Sequence, residues 1–78
     1  MEPLLVTMMP TEFDEISSHD GQEFLFVLEG ELRAQVGKEV EVLHPGDSIY
    51  YDSTHPHLVK CHGGKPAKII AVIYTGSR

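Results

Sequence analysis

His19, Glu23 and His57 are the side chains of this 78-residue chain best suited to chemistry. The first two open the run His19-Asp20-Gly21-Gln22-Glu23-Phe24-Leu25-Phe26-Val27-Leu28-Glu29-Gly30, and the third closes Pro45-Gly46-Asp47-Ser48-Ile49-Tyr50-Tyr51-Asp52-Ser53-Thr54-His55-Pro56-His57. Two imidazoles and one carboxylate suffice to hold a divalent metal. Zinc hydrolases and non-haem iron oxygenases both use such a trio and leave coordination positions open for water or substrate. Zn, Fe, Ni and Mn are all compatible with this donor set. Without a metal, the same three groups form a polar pocket bonded to one another or to water.

Other candidates follow from their place beside this trio. His55 could substitute as a ligand if its loop folds inward, whereas His44 and His62, at a turn and a strand end, read as surface residues. Tyr51 is the better pocket residue of the Tyr50-Tyr51 pair, and its hydroxyl could orient a ligand. By strand period Val59 and Cys61 share the inward face with His57, so Cys61 is expected as a small apolar wall; a reactive role would require its thiolate. Asp47, after Gly46 in a turn, is expected to bond local backbone N–H groups. The expected ligand pocket is therefore His19, Glu23, Tyr51, His57 and Cys61.

The elements that must position these residues read as strands. Leu4–Met9 is a β-compatible run closed by Pro10, and Thr11–Asp20 is polar and irregular. Phe24–Glu29 is rich in aromatic and β-branched residues. Leu32, Ala34 and Val36 alternate with Arg33 and Gln35, and Glu39–Leu43 alternates again across the Gly37-Lys38 turn, which predicts a hairpin. A turn at His44–Asp47 leads to a short strand at Ser48–Tyr51, a loop at Asp52–Pro56 and a strand at His57–Cys61. Gly63-Gly64-Lys65-Pro66 precedes Lys68–Tyr74, which is apolar on both faces. Short strands at close spacing predict a small antiparallel sandwich or barrel. If Glu23 points inward, so do Leu25 and Val27, leaving Phe24, Phe26 and Leu28 outward. Such a face is poorly suited to water and predicts a sheet-on-sheet homodimer.

Composition narrows the function classes. A domain this size buries only about 60% of its unfolded surface, and the single cysteine excludes an internal disulfide, so a metal or a partner subunit is the expected additional support. The net charge is −6, with twelve acidic residues against six basic ones. Arg33, Lys38, Lys60, Lys65, Lys68 and Arg78 are scattered, so no direct nucleic-acid contact is expected of this domain. Nor is membrane insertion, because no apolar run approaches the roughly 18 residues a span requires. A lone cysteine suits a reducing cytoplasm.

The two motif runs resemble those of the cupin superfamily, of the conserved-barrel type, and most of all the cupin domains at the C-terminus of helix-turn-helix transcriptional regulators. In the first motif His19, Glu23 and Gly30 fall in place, while Ser17 stands where a further His is usual. In the second, Gly46 and His57 match, with Asp52, Thr54 and Cys61 in place of the usual Pro, Gly and Asn. The resemblance implies an all-β jelly-roll barrel occupying residues 1–78 as one domain, either excised from a longer regulator or standing alone. It implies a site of three His and one Glu inside the barrel, of which His19, Glu23 and His57 remain. It implies first a sensor module that binds a small molecule near His19, Glu23 and His57 and acts on a DNA-binding domain of the same full-length chain. A small metal-dependent oxygenase, isomerase or decarboxylase ranks second, and a dimerisation unit with a vestigial pocket third. On this reading no catalytic residue is assigned.

Overall fold

Alternating polarity along short, turn-bounded segments yields seven antiparallel strands among the described residues. They are β1 (Glu2–Met8), β2 (Gln22–Glu29), β3 (Leu32–Val36), β4 (Glu39–Leu43), β5 (Ser48–Asp52), β6 (His57–Cys61) and β7 (Ala67–Tyr74). The structure is a computed structural model that describes residues 2–14 and 16–74; Arg78, among the scattered cations, lies outside them. The strands form two sheets, ordered β1-β7-β2-β5 and β4-β3-β6, which together make the small β-barrel jelly roll expected. Among the described residues no helix is long and apolar enough to cross a membrane.

The core lies between the sheets. Leu25 and Val27 of β2, Tyr51 of β5, and Ala67, Ile69 and Ala71 of β7 meet Leu32 and Ala34 of β3, Leu43 of β4 and Cys61 of β6. The two-residue period then sends Phe24, Phe26 and Leu28 to the outer face of the larger sheet. There they join neighbours set by the register: Pro3, Val72, Phe24 and Tyr50 form one cross-strand row, and Leu5, Ile70 and Phe26 the next. Phe24, Leu28, Tyr50 and Leu5 are all exposed.

Gly30 holds the corner between the sheets. Its φ is +79°, and a Cβ there would stand 2.5 Å from the carbonyl oxygen of Pro66 and 2.9 Å from Cα of Ala67. Only glycine meets both demands, for a left-handed backbone and for an approach this close. The corner follows directly on a register shift between Val27 and Glu29 in β2, which bends the strand out of the larger sheet.

One strand departs from the simple pattern. Glu39-Val40-Glu41-Val42-Leu43 suggests a strand with valines inside. Yet Leu43 pairs with buried Leu32, which puts Glu41 and Glu39 on the inner side, opposite Ala34 and Val36. Val40 and Val42 are exposed. The strand is an edge of its sheet, and the register that buries Leu43 overrides the preference of the two valines.

Candidate metal centre

Glu23, Tyr51 and His57 come from three strands in two sheets, and His19 from the loop before β2. Each is held by backbone geometry. The His19 N–H donates to the Ser53 carbonyl at 2.9 Å, and the Ser53 N–H donates to Gly21 at 2.8 Å, so the β5–β6 loop clamps the segment that carries His19. Ser17 and His57 exchange both backbone hydrogen bonds at 2.9 Å, an isolated bridge that ties the same loop to the start of β6. Ser17 thus serves the site through its backbone where a ligand imidazole would have been expected. Glu23 and Tyr51 are direct cross-strand partners in the β2–β5 ladder.

The side chains converge. His19 Nε2 lies 2.8 Å from Glu23 Oε2, and His57 Nε2 lies 3.7 Å from the same oxygen. One donor atom from each of the three residues falls within 4.8 Å of the other two. The two imidazole rings meet edge to face at 5.2 Å. His57 is buried and Glu23 nearly so, while the His19 side chain is 44% exposed. The cavity in front of them holds about 650 Å³ and is lined by Ser17, Glu23, Tyr51 and His57, together with Phe13, Asp14 and Lys60.

The second nitrogen of each ring decides what the first can do. His57 Nδ1 is 2.8 Å from the His55 carbonyl, and His19 Nδ1 is 3.2 Å from the Asp20 carbonyl. A carbonyl only accepts, so Nδ1 carries the proton in each ring. This is the orientation that metal-ligating histidines adopt. In the neutral rings both Nε2 lone pairs then face a carboxylate oxygen. Three donor atoms converging in this way are held together by a proton on one ring or by a metal ion among them. The donor set fits one divalent metal, held by His19 Nε2, Glu23 Oε2 and His57 Nε2.

Tyr51 completes the arrangement. Its hydroxyl donates to Glu23 Oε1, and its ring packs on that of His57 at 5.0 Å. Burial, then the hydrogen bond and charge of Glu23, push the phenol well above its ordinary value, so it stays a donor at any moderate pH.

The remaining expected residues lie elsewhere. Cys61, expected as a pocket wall, sits in the core, and its thiol donates to the Met8 carbonyl at 3.2 Å. It is absent from the cavity lining, because its side chain is turned into the core between the sheets. His55 is exposed and supplies its carbonyl, not its ring, to the cluster. His44 is exposed beside Glu31 and Asp47, whose carboxylate caps the turn by accepting from the His44 N–H at 2.9 Å. His62 is also exposed. The strand period turns Lys60 away from His57, yet its side chain reaches over the cavity edge to Asp14 at 2.7 Å. The two are 46 positions apart and no spacing rule connects them. The hydrogen bond from Lys60, and then its charge, hold the Asp14 carboxyl below the ordinary carboxylate range.

Comparison with known proteins agrees with this geometry. The chain matches the family model described as the Cupin domain over residues 4–73. It is 38% identical over 78 residues to the (S)-2-hydroxypropylphosphonic acid epoxidase of Streptomyces wedmorensis, covering 90% of this chain and 39% of that enzyme. Among solved structures it resembles the Fe(II) form of that epoxidase in complex with substrate, with a TM-score of 0.80 and 35% identity over 92% of this chain and 44% of the other. The epoxidase in complex with fosfomycin gives a TM-score of 0.78 and 34% identity, over 92% of this chain and 42% of the other. The chain thus spans about two fifths of the length of these relatives. They overturn the expectation of a sensor domain of a transcriptional regulator, and with it the ranking of enzyme as second: the relatives are metal-dependent enzymes. The misreading has a physical root, because one barrel carries both kinds of function and only the site separates them.

Proposed function

This chain belongs to the cupin family, and on that premise we propose that it is the metal-binding domain of an enzyme that oxidises a small hydroxylated acid at one divalent iron. The observation that carries the reading is the convergence of His19 Nε2, Glu23 Oε2 and His57 Nε2 on one point at the wall of an open cavity. Two imidazoles and one carboxylate are the donor set of non-haem Fe(II) oxygenases, and they leave positions open on the cavity side. When bound, iron would supply oxidising power and a Lewis-acidic seat for a substrate oxygen. The relatives extend this to a substrate class, a small hydroxyalkyl phosphonate, and to a reaction, ring closure to an epoxide. In that closure the hydroxyl oxygen bonds to the neighbouring carbon, one O–H and one C–H bond break, and two electrons pass to an oxygen-derived oxidant.

The residues of the chain have separable tasks in this reading. His19, Glu23 and His57 hold the metal. The His55 and Asp20 carbonyls fix the ring tautomers. Phe13, Leu58 and Val59 supply apolar wall, and Lys60, paired with Asp14 at the cavity rim, is a cation that an anionic head group would draw from that pair. The free, buried thiol of Cys61 suits a cytoplasmic setting. The outer face of the larger sheet seats a second copy of the chain: its two apolar rows carry no charged side chain in a molecule of net charge −6.

Elemental analysis of protein purified without chelator or metal-affinity tag tests the reading, with His57→Ala as control. Stoichiometric iron in the wild type, absent from the variant, is the expected result. A wild type that takes up no Fe(II) under anaerobic reconstitution would overturn it.

A further inference from the structure

We propose that Tyr51 is a positioning residue that makes Glu23 a one-oxygen ligand, and that by doing so it keeps one more coordination position open to substrate. The inference rests on the metal-binding reading above and adds to it the division of labour between the two carboxylate oxygens.

Three independent features set Tyr51 in this role. The first is register. Glu23 and Tyr51 are paired across the β2–β5 ladder, and both point inward, so their side chains are neighbours by construction. The second is the bonding pattern. Glu23 Oε1 accepts from the Tyr51 hydroxyl, while Glu23 Oε2 alone faces His19 Nε2 and His57 Nε2. The third is rigidity. Tyr51 is buried, its ring lies against His57, and its body forms part of the core cluster. The hydroxyl therefore cannot swing away without unpacking the ring.

The chemical consequence follows from counting positions. A carboxylate that chelates through both oxygens takes two sites on a metal; one whose second oxygen is engaged takes a single site. Two imidazoles and a single carboxylate oxygen would occupy three positions of a six-coordinate ion and would leave the others for substrate and oxidant. A substrate that binds through two oxygens, plus an oxidant, needs all three that remain. A phenylalanine at position 51 would preserve the ring packing and release Oε1. The carboxylate would then be free to rotate, and the approach geometry of Oε2 would be lost with it.

Co2+ alone is the probe, added to wild type and Tyr51→Phe cleared of metal, with affinity read by competition against a chromophoric chelator and coordination read from the visible absorption of the bound ion. Tyr51→Phe is expected to bind Co2+ about 10–100-fold more weakly, as when a hydrogen-bond partner of a ligand is removed, and to shift the visible bands. The thermal unfolding midpoint of the metal-free protein reports whether the core is intact; if the Phe variant does not fold, Tyr51→Met fills the same site without a hydroxyl. A tyrosine that merely filled the core would leave both metal readouts untouched in either variant. A change in affinity or absorption upholds the proposal, and wild-type values for both overturn it. Failure of the wild type to bind Co2+ is a different result, which overturns the metal reading and this inference together.

Discussion

Two cavities meet at Tyr51, and they contrast in what their acidic residues do. The larger, about 650 Å³, holds Glu23, Asp14 and His57. The smaller, about 370 Å³, lies in the gap between β4 and β5 and holds Glu39, Glu41 and His55. By composition they are alike. By geometry they are not: among the described residues His19, Glu23 and His57 are the one group of such donors that converges within 4.8 Å. The cause lies in the scaffold. Glu23 sits on an inner strand of its sheet, paired on both sides, and faces β6 of the other sheet. Glu39 and Glu41 sit on an exposed edge strand, and across the gap to β5 no histidine ring converges on them among the described residues. A site is thus made by strands that confront each other, and acidic lining alone does not make one.

The largest effect comes from removing the wall itself. Tyr51→Ala would join the two cavities and strip an aromatic ring from the core, a change that typically destabilises by about 3–5 kcal/mol. A 78-residue domain has roughly 4–12 kcal/mol of stability in all. Urea unfolding is expected to show a midpoint lowered by about a quarter or more. A midpoint near that of the wild type would mean that the two cavities are already one.

Glu23→Ala comes next. It removes the oxygen to which both Nε2 atoms turn and leaves the Tyr51 hydroxyl without its acceptor. Binding of Fe(II) or Co2+, measured by competition, is expected to fall more than about 100-fold, beyond the range for loss of a supporting partner. Retention of metal at full occupancy would move the site away from this cavity.

How far the sequence discloses all this differs between the two regions. All seven strands are legible in the alternation and the Gly/Pro punctuation, and their ends agree within about two residues with the structure. His19, Glu23 and His57 are legible because they keep motif spacing. The Glu23–Tyr51 bond is only half legible: each residue can be assigned to the inner face, but their pairing depends on a register between strands that local pattern does not contain. In the smaller cavity the pattern misleads outright. Val40 and Val42 look like the buried residues of β4, and the neighbour pairing of Leu32 with Leu43 turns them outward. Lys60 and Asp14 are illegible for a similar reason, since a loop and a strand far apart in sequence meet only in the fold. Function is the least legible: the fold serves regulators and enzymes alike, and His19, Glu23 and His57 by spacing alone fit a metal site and a bare polar pocket equally.

A smaller effect separates the cavities by pH. The loop over the larger one is tied down by Lys60 and Asp14, and nothing comparable crosses the smaller one among the described residues. Lys60 holds the Asp14 carboxyl below its ordinary value of 3.8. A carboxyl depressed in the folded state contributes above that ordinary value, and its contribution is lost as pH falls through the folded one. The tie should therefore be intact at neutral pH and lost only in acid, below about pH 4. Protease cleavage within residues 11–20 at pH 7 is expected to quicken modestly in Asp14→Asn, because an exposed ion pair contributes little. Equal cleavage in both proteins would show that the backbone bridge between Ser17 and His57 holds the loop unaided.

The smallest expected effect is the sharpest control. Glu41→Gln removes a charge from the second cavity without changing its shape, on a strand where that carboxylate is exposed. If metal affinity depended on the general negative potential of an acidic protein, neutralising Glu41 would weaken Co2+ binding, and raised salt would do the same to the wild type. If it depends on convergence, Glu41→Gln should bind Co2+ within about twofold of the wild type at about 0.1 M salt and above, where an exposed charge in water is screened over roughly 10 Å or less. A loss comparable to that of Tyr51→Phe would mean that the two cavities share one electrostatic field. The contrast drawn between them would then be one of degree.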